Sequence, residues 1–255
     1  MPNALIRKLE GFLPLDDADR QVLLGLSGKV DSLDTHQPII SEGDAPRDVH
    51  VILEGFAARS KSLPDGSRQI VGYLLPGDFC DLHAAILDAM DHDIVTITRC
   101  ETARISRAKI KEIAETHPRL SEAFWWCTLV DEAILREWLV NIGQRSADER
   151  IAHLFCEFHT RLMAVGLASE GSFNLPITQD ELGATTGLST VQVNRSLRTL
   201  REKDLVTFRG KRIVMPDVYR LHAYSGYNPN YLHLRHGPAA SRQSPKQNDV
   251  SDARV

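Results

Sequence analysis

The sequence predicts an α+β chain in three parts: a small antiparallel β barrel or sandwich, a long apolar helix, and a C-terminal winged helix-turn-helix. Three observations carry this. Between Val30 and Ile105, short β-rich runs alternate with glycine-bearing turns. The stretch Leu120–Ile142 then runs without glycine or proline and is apolar on more than one face. Two capping-box patterns flank Gly187 and lead into a hairpin.

In chain order, residues 5–13 form a short helical pattern ended near Pro14. Asp16 caps a second one, with Val22, Leu23 and Leu26 on one face. The β runs are Gln37–Ile40, His50–Leu53, Phe56–Lys61, Ser67–Leu75, Ile94–Thr98 and Ala103–Ile105. Gly43, Gly55, Gly66 and Gly77 mark the turns between them. Asp81–Met90 reads as a short helix set between strands. Helical pattern follows from Ile105 to Asn141, interrupted at Pro118. Trp125, Trp126, Leu129, Leu135, Trp138 and Leu139 lie on several sides of its second half. One side is expected to cover the β module and another to meet a second copy of the chain; a core helix inside a monomer is the alternative. Gly143 is expected to end that helix. Ser146 and Glu149 box the start of the next, whose buried face is Ile151, Leu154, Phe155, Phe158 and Leu162. Ala168–Asn174 reads as a polar loop, and the polar stretch after Pro238 as a disordered tail.

Composition narrows the class. The 255 residues are 42% hydrophobic and 25% charged, as in an ordinary globular protein. No run of 18 apolar residues occurs and the N-terminus lacks a signal-peptide core, so a cytoplasmic location without membrane partners is expected. Cys80, Cys100, Cys127 and Cys156 are scattered, with no Cys-x-x-Cys pair, which predicts reduced, buried thiols and no metal site. No phosphate-binding loop, nucleophile elbow or His-Glu-x-x-His occurs, so no enzyme is predicted. The net charge of −4 excludes a general nucleic-acid coating protein. Yet Arg195–Arg212 holds seven cations against Glu202 and Asp204 alone, a locally basic module.

That module carries the function. Thr178 with Glu181 starts one helix, Gly187 permits a tight turn, and Ser189 with Gln192 starts a second, running to about Lys203. Leu182, Leu188, Val193, Leu197 and Leu200 are spaced to pack the pair together. Leu205–Val214 reads as a hairpin turning at Arg209-Gly210, a wing. The second helix is expected to enter the major groove of double-stranded DNA. Arg195 can pair with guanine through two hydrogen bonds, Asn194 with adenine or a phosphate, and Val191 and Thr190 with thymine methyl groups. Ser189, Thr178 and Gln179 sit at helix starts suited to phosphates, and Arg198 lies one turn beyond Arg195. The alternative, from another class, is a small-molecule-binding module whose helix-turn-helix makes protein contacts.

On these residues the chain resembles the Crp/Fnr transcription regulators, over about residues 10–225. The match is strongest over Ile177–Pro216, with Leu188-Ser189 and Val193-Asn194-Arg195 at its heart. Pro76-Gly77-Asp78-Phe79 and Arg99–Ser106 match the family's effector domain. The resemblance implies a β-roll sensor domain of the cyclic-nucleotide-binding type, jelly-roll-like, over 1–118. It also implies a dimerisation helix over 119–144, a winged helix-turn-helix over 145–224 and a tail over 225–255. A homodimer reading a pseudo-palindrome, controlled by an effector and working with RNA polymerase, follows from the same resemblance.

Two departures bear on the effector. The stretch that in cyclic-AMP binders supplies a glutamate and an arginine here reads Phe79-Cys80-Asp81-Leu82-His83, then Met90-Asp91-His92-Asp93. Asp81, Leu82, His83, Asp91 and His92 are the expected pocket residues. No Arg or Lys lies between Arg68 and Arg99, so a cyclic phosphate is expected to meet Asp88, Asp91 and Asp93 without a cation. The absence of any cysteine before Cys80 argues likewise against an iron–sulfur cluster. Haem held by one of His50, His83, His92 or His117 is a lesser alternative, and the effector stays unassigned. At the DNA, Val191 stands where many relatives carry a glutamate that accepts from cytosine, so a related but altered half-site is expected.

Overall fold

A computed structural model describes residues 3–235. Two short helices come first. α1 (Ala4–Glu10) is capped by Asn3, and α2 (Asp17–Gly25) opens on a complete capping box between Asp16 and Asp19. The β module follows as two four-stranded antiparallel sheets. Its strands in chain order are β1 (Val30–Leu33), β2 (Pro38–Ile40), β3 (Asp48–Glu54), β4 (Ala57–Ser62), β5 (Arg68–Leu74), β6 (Phe79–Cys80), β7 (Asp93–Thr96) and β8 (Cys100–Ser106). They pair as β1-β8-β3-β6 and β2-β7-β4-β5. Val49, Val51, Ile52, Ala57, Ala58, Ile70, Ile94 and Ala103 are all at most 1% exposed and belong to the apolar core packed against these sheets. Gly55 turns β3 into β4 at φ +87°, and a Cβ there would come within 2.3 Å of the Arg99 carbonyl, so only glycine serves.

α3 (Arg107–Thr116) leads into α4 (Pro118–Gln144), whose Pro118 sits in the first turn where its missing N–H costs nothing. α5 (Ala147–Ala164) opens on the expected Ser146–Glu149 box. Then come the hairpin β9 (Ala168–Ser169) and β10 (Ser172–Asn174), α6 (Gln179–Thr186), α7 (Thr190–Glu202), β11 (Thr207–Arg209), β12 (Arg212–Val214) and α8 (Val218–Ser225).

The β-module, long helix and winged helix-turn-helix appear in the expected order, with five corrections. Asp81–Met90 is no helix: only Leu82–Ala85 makes a 3-10 turn, because Asp81 enters at φ +73° and its carboxylate is spent on the His83 N–H and ring. Ala168–Asn174 is no loop: Gly171 (φ +71°) folds it into β9–β10, which extends the wing sheet in the order β11-β12-β10-β9. Its strands are too short for polar alternation to show in sequence. Gly143 does not end α4, which runs on to Gln144 until Arg145 turns extended. The strands β1 and β6 went unread, β6 being two residues long. Beyond α8, residues 226–235 are packed rather than tail-like: Tyr227, Tyr231 and Leu232 are buried, and Pro229–Leu232 forms a 3-10 turn. The stretch after Pro238 lies outside the described residues.

Candidate nucleic-acid interface and sensor pocket

Both boxes of the helix-turn-helix close as the sequence predicts. The Thr178 side chain accepts from the Glu181 N–H and the Glu181 carboxylate accepts from the Thr178 N–H; Ser189 and Gln192 do the same for α7. Gly187 takes the left-handed conformation (φ +67°) between them. Gly183 lets the backbones meet, since a Cβ on it would lie 2.5 Å from the Leu188 carbonyl. Leu182, Leu188, Val193, Leu197 and Leu200 are all buried against one another and α5.

The opposite face is open. Thr178, Gln179, Ser189, Thr190, Val191, Asn194, Arg195 and Arg198 are all exposed, Val191 at 78%. Their side chains differ in readiness. Thr190 gives its hydroxyl to Asp180 on α6 at 2.9 Å, a tie that sequence reasoning missed. Asn194 turns its amide back to the Thr190 carbonyl at 3.0 Å. Arg198 pairs with Glu202 at 2.7 Å on the exposed surface. Among the described residues no hydrogen bond or ion pair ties the Arg195 guanidinium to the protein. At the wing, Arg209 and Lys211 are exposed at the tip, while Arg212 is spent on the Ser169 and Ser172 hydroxyls.

Two arginines at the elbow between α4 and α5 fix this domain. Arg150 donates to the Arg145 carbonyl and to the Thr186 carbonyl, thus capping both α4 and α6. Arg145 donates to the Ser225 carbonyl at the end of α8. The domain also touches the β module directly: Tyr73 on β5 bonds the Thr185 hydroxyl of α6 at 2.8 Å, and Gln69 donates to the Thr185 carbonyl.

A cavity of about 710 Å³ opens between β4, β5, the 79–92 connection and α4. Asp81, His83, Asp91 and His92 line it together; Leu82 does not, packing instead against the core. Asp81, 4% exposed, bonds the His83 ring at 2.6 Å, and its other oxygen is 3.6 Å from His92 Nε2. Burial alone would raise the Asp81 carboxyl, but the His83 hydrogen bond and the Arg59 charge outweigh it and hold it below the usual carboxylate range. The same bond to Asp81 raises His83 above an ordinary imidazole.

The expectation of a pocket without cations is corrected. Arg59 and Lys61 enter it from β4 and Arg161 from α5, far away in sequence. All three are already engaged. Arg59 donates to Asp131 on α4 and to the Phe79 carbonyl, and Lys61 to Glu42 and the Asp91 carbonyl. Arg161 donates to Asp78, Glu157 and the Tyr73 carbonyl. With Asp81, Asp91, Asp131 and Glu132 also on the wall, a cyclic phosphodiester does not fit this lining: it would have to strip a paired cation in acidic surroundings. The cysteines do not suit a cluster either. All four are buried, and burial pushes Cys127 and Cys156 up to about 12 and Cys80 higher still. Among the described residues no three His, Cys, Asp or Glu side chains converge as a metal-binding group.

Residues 30–117 match the cyclic nucleotide-binding domain family, and residues 149–224 match the Crp-like helix-turn-helix domain. The transcriptional activator FnrL of Cereibacter sphaeroides is 28% identical over 189 residues, which span 72% of this chain and 75% of that one. The nitrogen fixation regulation protein FixK of Bradyrhizobium diazoefficiens is 29% identical over 188 residues, 73% of this chain and 78% of its own. Among solved structures, FixK2 from Bradyrhizobium japonicum superposes with a TM-score of 0.69 at 24% identity, covering 76% of this chain and 96% of that one. TTHB099, a CRP-family regulator from Thermus thermophilus, gives 0.61 at 18% identity over 77% and 96%.

Proposed function

We propose that this chain is a transcription regulator of the Crp/Fnr type that binds DNA as a homodimer and reads a pseudo-palindromic site through the two copies of α7. The observation that carries the reading is the exposed face Thr190–Arg198 on a helix opened by the Ser189–Gln192 capping box, with an unengaged Arg195. Arg195 takes the guanine, Val191 and Thr190 face thymine methyls, and Thr178, Gln179, Ser189 and Arg198 hold phosphates. Asn194 reaches a base or phosphate by releasing the Thr190 carbonyl.

The homodimer is supported by α4. Trp125, Leu129, Leu135, Leu139 and Val140 are between 47% and 75% exposed on one helix, an apolar stripe that a soluble monomer would have to leave in water. With a second α4 against it the stripe is covered and the two α7 helices are held one helical turn of DNA apart. RNA polymerase is the partner this family's activators imply, and the cytoplasm the compartment. No helix among the described residues is long and apolar enough to cross a membrane. The pocket at Asp81, His83, Asp91 and His92 takes an effector other than cyclic AMP. Footprinting over a salt series tests the reading: a palindromic site should be protected, with affinity falling steeply as salt rises. Equal affinity for all sequences would favour the protein-contact alternative.

A further inference from the structure

Past the end of the helix-turn-helix match at residue 224, the chain does not leave the molecule. Gly226 (φ +61°) ends α8 in a left-handed turn, and residues 227–235 run back across α5 and α4 to α1. Each step of this path is fastened. Arg145 holds its start through the Ser225 and Gly226 carbonyls. Tyr227 packs edge-on to His153, and Tyr231 stacks on the same ring at 6.1 Å. The Tyr231 hydroxyl donates to Glu157, a fully buried carboxylate that also takes the Trp138 indole N–H at 2.9 Å and Arg161. Leu232 is 2% exposed, His233 lies against Trp126, and Leu234 reaches Gly11, whose carbonyl accepts the Arg235 N–H at 2.9 Å.

The covalent link between sensor and DNA-binding domain is the elbow at Arg145–Ser146, a single hinge. The returning segment ties the far end of the same domain to α4 and α1, an attachment additional to the Tyr73 and Gln69 contacts with Thr185 on α6. With these attachments the domain cannot swing about the elbow alone. In this arrangement the α7 face stays uncovered.

We propose that residues 226–235 are an intramolecular strap that fixes the DNA-binding domain on the sensor in the orientation that reads DNA. Its effect is preorganisation: a dimer whose two α7 helices are already placed need not order the hinge on binding. The strap is itself a docking peptide, aromatic and apolar, seated in a groove of α1, α4 and α5. The Glu157 carboxylate is the groove's polar anchor.

The experiment uses the full chain with Leu232→Asp and Leu234→Asp together, and separately Tyr231→Phe as a mild variant for the case that the first does not fold. Hydrogen–deuterium exchange should show protection lost in α1 and around Glu157 while β3 and β8 keep theirs. Affinity for a protected site should fall by at least fivefold in the double variant, and about twofold in Tyr231→Phe. Unchanged exchange in α1 would show that the segment does not hold the domains, independently of any DNA reading. Exchange increased with affinity unchanged or raised would also overturn the proposal.

Discussion

Replacing Arg195 by alanine tests the DNA reading most directly. The guanidinium is exposed on the first turns of α7 and is not committed to a protein acceptor, so its loss should leave the fold intact. A two-bond contact to guanine discriminates by about 1–3 kcal/mol. In a homodimer the change enters twice, so a full site should lose about 2–6 kcal/mol, at least about thirtyfold. Arg198 is a contrast one turn on. It already pairs with Glu202 on the open surface, a weak and salt-screened tie that a phosphate readily displaces. Arg198→Ala should therefore weaken all sequences alike and reduce the salt slope by about 1 per half-site. The assay is fluorescence anisotropy of labelled duplexes over a salt series, with the guanine pair replaced in one half-site. Wild-type protein should lose about 1–3 kcal/mol on that base change and Arg195→Ala almost nothing, whereas Arg198→Ala should lose as much as wild type. Equal sensitivity of all three proteins to the base change would refute the assignment of Arg195 as a base reader.

Leu139→Arg places a charge on the apolar stripe of α4 at a residue 75% exposed in the single chain. Light scattering should show dimers converted to monomers with the circular dichroism unchanged; a persisting dimer would move the interface elsewhere. Burial, then Arg145 and His222, lower the fully buried His153 to about 3 and outweigh the Glu137 carboxylate 3.1 Å from its Nε2, so the folded chain refuses a proton that the unfolded chain accepts below about 6.5. This group's contribution to stability is thus flat above that value and declines as pH falls from 6.5 towards 3, by about 2 kcal/mol at pH 5. In urea titrations at pH 7 and 5, His153→Phe should lose less stability than wild type; parallel losses would count against it. Cyclic AMP should produce no thermal shift at millimolar concentration, and a saturable shift at micromolar levels would show that the paired cations of the pocket can be released after all.

Much of this protein is written locally. The capping boxes at Ser146, Thr178 and Ser189, the cap at Asp16 and the glycine at 187 specify helix starts and a turn through residues at most four apart, so a linear reading finds them. The exposed α7 face follows from 3.6-residue periodicity for the same reason. Short strands such as β6 and β9 could not be read, because two residues carry no alternation and their pairing partners lie tens of residues away. The pocket was half legible: Asp81, His83, Asp91 and His92 are close in sequence and are brought together. Arg59, Lys61 and Arg161 reach the same space only because β4 pairs with β7 and α5 crosses β5. Sequence alone thus determined the order of the three parts and the helix-turn-helix with its exposed second helix, since caps, turns and periodicity act between near neighbours. Tertiary structure alone decided which charges meet in the sensor pocket, how Tyr73 and Thr185 join the two domains, and that residues 226–235 return to α1, since each is a contact between segments that only folding brings within reach.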